Sequence, residues 1–151
     1  MNNKIFKKTF DQIATSYGLE KGDGGWYREN GETLITLNLQ KSNYSNLYYL
    51  NVKTYIYGLL DLEYKPTKYW IVNHPGNVFI RQPNEYTQLF NLESDLSIQE
   101  RESGLDSFFE DFLIPYIKTS STIRGIKELS DKGKIYLFPE FESKLMEMKK
   151  L

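Results

Sequence analysis

Asn30-Gly31 stands between two stretches in which apolar and polar residues alternate, and no other feature of this chain limits its fold as tightly. The pair suits a two-residue turn with positive φ at its central positions, which closes adjacent strands into an antiparallel hairpin. The alternation runs through Trp26-Tyr27-Arg28-Glu29 on one side and from Glu32 to Gln40 on the other. A two-residue turn there sets Trp26 opposite Ile35 and gathers Ile35, Leu37 and Leu39 on one apolar face. Thr36, Asn38 and Gln40 point the other way. After a polar connection, Lys41 to Asn46, a third strand is expected from Leu47 to about Tyr57. In it Tyr48, Leu50, Val52 and Ile56 alternate with Tyr49, Asn51, Lys53, Tyr55 and Tyr57.

On either side of these strands the period returns to 3.6. Phe6, Phe10, Ile13 and Tyr17 form one stripe, with Asn3 as the expected start cap and Tyr17-Gly18-Leu19 as a glycine stop. Glu20 to Gly25 reads as a loop. Gly58 to Thr67 fits a helical turn or a strand equally well. Tyr69-Trp70-Ile71-Val72 reads as a strand ended by Asn73-His74-Pro75-Gly76, and Val78-Phe79-Ile80-Arg81 as another. Leu105, Phe108, Phe109, Phe112, Leu113, Tyr116 and Ile117 make a wide helical stripe that Pro115 must kink or interrupt. Ser121 or Thr122 caps a short helix carrying Ile123, Ile126 and Leu129, stopped at Gly133, and Pro139 opens a last helix with Phe141, Leu145 and Met148. These stripes are satisfied together by a single α+β domain over residues 1–151. Its expected form is an antiparallel β meander of about four to six strands, with the N-terminal helix and the C-terminal helices packed mainly on one face. The other face is polar and rich in tyrosine.

Composition narrows the chemistry. Apolar residues make up 40% and charged residues 26%, as in globular domains. No window holds the roughly 18 consecutive apolar residues of a membrane helix, and the N-terminus lacks the apolar stretch of a secretory signal. A cytoplasmic location is the default expectation. With no cysteine there is no disulfide, thiolate nucleophile or cysteine-held metal. A formal net charge of −1 recruits neither nucleic acid nor membrane as a partner.

Few residues carry distinctive chemistry. Gly22-Asp23-Gly24-Gly25 lacks the lysine and hydroxyl residue of a phosphate loop and leads into a strand, so it reads as a turn. His74, the single histidine, reads as a solvated turn residue, with Asp61 and Glu63 as the nearest preceding acids. The pairs Glu100/Glu102 and Glu110/Asp111 read as a solvated acidic face rather than as hydrolytic carboxylates. No catalytic residue, metal ligand or cofactor site is assigned, and the reading leans away from an enzyme. Two features remain. Residues 93–111 hold Glu93, Asp95, Glu100, Glu102, Asp106, Glu110 and Asp111 against Arg101 alone. Tyr49, Tyr55 and Tyr57 fall on the polar side of the third strand, either covered by the C-terminal helices or exposed for binding.

The order of motifs also resembles a known family. A helix ending Tyr17-Gly18-Leu19 precedes Trp26-Tyr27-Arg28, a strand ending Leu39-Gln40-Lys41-Ser42, and a strand containing Leu50-Asn51-Val52. Phe112-Leu113-Ile114-Pro115-Tyr116-Ile117 then runs into Ser121-Thr122. This pattern is similar to the bacterial domain-of-unknown-function family 4304, over nearly the whole chain. The resemblance implies a compact bacterial α+β domain and a basic position near the end of the sheet, for which Arg81 is the candidate. It brings no activity or site residues.

The leading functional expectation is a non-catalytic protein-binding module, in the manner of an immunity-type inhibitor. Its basic partner would meet Glu93, Asp95, Glu100, Glu102 and Asp106. The alternative is a small-ligand binder or enzyme using the polar sheet face, with Asn38, Gln40, Asn51 and Tyr55 as contacts. Arg28 is a poorer contact, because the hairpin places it at the margin of the apolar face.

Overall fold

The computed structural model describes residues 1–148. The chain opens with α1 (Asn3–Ser16) and then runs through five strands: β1 (Glu20–Gly22), β2 (Gly25–Glu29), β3 (Thr33–Lys41), β4 (Tyr48–Ile56) and β5 (Val78–Arg81). They form one antiparallel meander in sequence order. The helices α2 (Thr87–Phe90), α3 (Ile98–Phe108), α4 (Ile114–Ser120), α5 (Ile123–Asp131) and α6 (Pro139–Glu147) follow. The expected α+β architecture is the observed one.

α1 buries Phe6, Phe10 and Ala14 on the sheet. Its start is capped by Asn2, one residue earlier than expected, whose Oδ1 accepts from the Ile5 N–H at 2.8 Å. Gly18, at φ +88°, turns the chain out of the helix, and the Leu19 N–H reaches back to the Ala14 carbonyl. Phe10 sits at the centre of the core, with ring centroids 4.8 Å from Trp26 and 5.2 Å from Phe109.

The hairpin forms, but its register is two residues from the expected one: Trp26 pairs with Leu37, and Ile35 with Arg28. The cause is the Asn30 side chain. Its Oδ1 accepts from the main-chain N–H groups of Glu32 and Thr33, which moves the turn onto Gly31-Glu32. A shift of two preserves the faces, so Ile35 and Leu37 still enter the core. Glu32 then reaches the C-terminal helices, its Oε2 accepting from Ile123 N at 2.6 Å, while Thr122 Oγ1 caps α5.

Two stretches depart from the sequence reading. Glu20–Gly22, expected as loop, pairs with β2 across a tight turn at Asp23-Gly24. Tyr69–Val72, expected as strand, lies in a π-helical turn, Tyr69–Asn73, over the second face of the sheet. A four-residue apolar run does not distinguish the two by periodicity. The stripe interrupted by Pro115 continues through a π-helical segment, Phe109–Leu113, between α3 and α4. The wider turn accommodates a residue that has no N–H to donate.

The second face is covered around Leu34 and Tyr55 by the segment joining β4 to β5. Tyr64 and Trp70, from the segment joining β4 to β5, pack on Leu34 and Tyr55 as a small separate core. The tyrosines there are thus covered by residues 58–77 and not by the C-terminal helices.

Candidate functional site

The acidic surface is built by the loop before α3, by α3 and by the π-helical segment after it. Ser97 caps α3 in a reciprocal box: its Oγ accepts from Glu100 N, and Glu100 Oε1 accepts from Ser97 N. These bonds hold the Glu100 carboxyl below its ordinary pKa. Glu102, Asp106 and Glu110 follow at intervals of four and line one exposed stripe, with Asp106 accepting from the Tyr17 hydroxyl at 3.0 Å. All seven acids between residues 93 and 111 are exposed, and none takes part in an ion pair among the described residues.

The one base of this segment is elsewhere. Arg101 is 1% exposed. Its Nη1 donates to the carbonyls of Gln88, Leu89 and Asn91, and its Nη2 to Ser94 Oγ. The guanidinium fastens the loop after α2 from inside and neutralises nothing outside. The sequence signal for this was present, since Arg101 lies four residues before Leu105 and seven before Phe108 on the buried stripe. Like charges four residues apart cost a helix about 0.2–0.5 kcal/mol per pair, so the stripe is retained against local stability.

The sheet-face candidates divide. Tyr55 is fully buried, its hydroxyl donating to the carbonyls of Trp70 (2.6 Å) and His74 (3.2 Å), so it contacts no surface. Beside it Lys53, 3% exposed, donates to the carbonyls of Ile71 and Val72 at 2.9 and 3.0 Å. Burial pulls this lysine down to about 8. Lys53 and Tyr55 together hold the π-helical turn on the sheet. His74, also pushed down by burial and then by the Lys53 charge, packs its ring 4.9 Å from Trp70 while Nδ1 accepts from Gly76 N. The expected solvated residue is thus part of an aromatic cluster. Among the described residues no three histidine or acidic side chains gather as metal ligands.

The other three candidates lie together further along the same face. Asn38 and Asn51 are cross-strand partners, 4% and 5% exposed, and the Asn38 Oδ1 has no partner among the described residues. Asn51 Nδ2 donates to Gln40 Oε1 at 3.0 Å. Arg81 completes the group, donating from Nε to Asn51 Oδ1 (3.0 Å) and from Nη2 to Gln40 Oε1 (3.2 Å). Its guanidinium lies 4.3 Å from the Tyr49 ring centroid. Arg28 turns away to the Tyr17 carbonyl at 2.8 Å, ending α1. In the glycine turn, a Cβ at Gly25 would collide with the Leu37 carbonyl and one at Gly24 with Val72, so close packing accounts for both glycines.

No helix among the described residues is long and apolar enough to cross a membrane. No curated protein and no solved structure matches the chain. One family model does match, over residues 10–119, a shorter span than the sequence resemblance implied. It takes in the second half of α1, all five strands and α3 with its acidic stripe, and ends before α5. The chain therefore belongs to the family described as domain of unknown function DUF4304.

Proposed function

We propose that this chain is a non-catalytic binding module of a bacterium that docks a basic protein on the surface of α3, as an immunity-type inhibitor covers a toxin or nuclease. One observation carries the reading: seven acids are exposed between residues 93 and 111, while the only base among them is turned inward onto main-chain carbonyls. A surface of one sign steers an oppositely charged partner and rejects like-charged ones. Glu102, Asp106 and Glu110 sit on helical backbone whose start is fixed by the capping box, which limits the ordering cost of docking.

The test is affinity capture from cells of the source organism, followed by titration of the captured protein at two salt concentrations. A basic partner is expected, with affinity falling as salt rises. Glu102→Lys with Glu110→Lys should weaken it by about a hundredfold, from two reversed charges at the interface. Glu100 is left intact because its carboxylate caps α3. A captured partner of acidic or neutral charge, or capture indifferent to the double reversal, contradicts the proposal.

A further inference from the structure

Where β5 pairs with β4, the second sheet face carries an exposed positive group with a free binding edge. A guanidinium has five N–H donors, arranged so that Nε with one Nη forms one fork and the two Nη atoms form another. In Arg81 the first fork is occupied: Nε serves Asn51 Oδ1 and Nη2 serves Gln40 Oε1. Both acceptors are neutral amide oxygens. Arg81 is exposed and forms no ion pair among the described residues, so its charge stands uncompensated. The Tyr49 ring fixes the guanidinium plane from one side. Asn51, itself buried, is locked by the bond from its Nδ2 to Gln40. What remains is the end-on pair, Nη1 and the second N–H of Nη2, for which no hydrogen-bond acceptor is found among the described residues.

That edge matches two oxygens of a carboxylate or phosphate in bidentate geometry. An apolar surface adjoins it. Phe79, two residues earlier on the same face of β5, is 43% exposed, with its ring centroid 5.7 Å from the Arg81 Cζ. It walls a cavity of about 280 Å³ shared with Tyr136 and Phe138, which are 67% and 46% exposed. We propose that Arg81 and Phe79 form a binding site for a small organic anion: its carboxylate or phosphate on the open guanidinium edge, its flat apolar body against Phe79. This site is separate from the acidic stripe of α3, and either can fail without the other.

The probe is phenyl phosphate, titrated into the whole chain while the Arg81 Nε–H resonance is followed, with inorganic phosphate and sodium chloride at matched ionic strength beside it. Saturable shifts are expected with both phosphates and not with chloride. Phenyl phosphate should bind about threefold or more tighter than inorganic phosphate, through contact with Phe79. Followed by backbone amides of β5, Arg81→Gln should lower affinity at least about tenfold, as loss of a charge-assisted bidentate pair implies. Gln40→Ala, an exposed change that frees the guanidinium, should lower it about threefold. Both variants should keep the parent melting temperature. Shifts that chloride reproduces, or affinity unchanged in Arg81→Gln, overturn the proposal, and equal affinity for the two phosphates overturns its apolar half.

Discussion

Arg101 and Arg81 are two arginines held by neutral oxygens, and they end in opposite situations. Arg101 is buried, and four hydrogen bonds tie it to the loop after α2. Arg81 is exposed, anchored by two amide oxygens along one edge and open along the other. The first removes a positive charge from an acidic surface, and the second presents one on a surface without a paired carboxylate. Surface electrostatics here follow from where each guanidinium is turned, which a count of charges along the chain does not reveal.

The largest expected effect separates the two arginines by stability. Arg101→Met should cost about 3 kcal/mol, because the Leu89 carbonyl loses its Arg101 donor, those of Gln88 and Asn91 each lose one of several, and a fully buried side chain loses its polar anchoring. Arg81→Met should stay within about 0.5 kcal/mol, as exposed substitutions do. Chemical denaturation of both variants measures the contrast, and equal losses would break it.

Lys53 supplies a third cation held by carbonyls, and its test is pH. Burial holds it at about 8, against an ordinary value of 10.5. Between those values the unfolded chain binds the extra proton, so this lysine makes stability rise with pH. From pH 7 to 9.5 its contribution should be on the order of 2 kcal/mol. The difference between the parent and Lys53→Met, followed by denaturation across that window, isolates it. A difference that does not vary with pH would show the ammonium to be solvated.

The smallest effect has the opposite sign. Glu102→Gln with Glu110→Gln relieves the two like-charge pairs that flank Asp106 and should stabilise the chain by about 0.4–1 kcal/mol in all while weakening partner capture. A melting temperature that falls would mean that these acids support the fold, which would remove the reason for reading them as a binding surface.

The sequence made some of this legible and hid the rest for physical reasons. Local signals fared well: the α1 stripe with its Gly18 stop, the Thr122 cap of α5 and Pro139 opening α6 all act within a few residues. The hairpin was legible as an element but not in register, because the side chain of Asn30 chose the turn. The faces survived because the slip was an even number of residues. The strand expected at Tyr69–Val72 does not form, because carbonyls there are held by Lys53 and Tyr55, partners far back in the chain. The acidic residues were all legible, and the inward turn of Arg101 could have been read from its spacing to Leu105. The Arg81 network could not, since it depends on β4–β5 pairing across 30 residues and a further link across 41.

Native-state modification with phenylglyoxal, mapped arginine by arginine, tests the contrast most directly. The chain has four arginines, Arg28, Arg81, Arg101 and Arg124. Arg81 and Arg124, both exposed, should react readily, while Arg101 should stay unmodified until denaturant unfolds the chain. Modification of Arg101 in the native protein at the rate of Arg81 would place a positive charge on the α3 surface and contradict the reading of that surface as uniformly acidic.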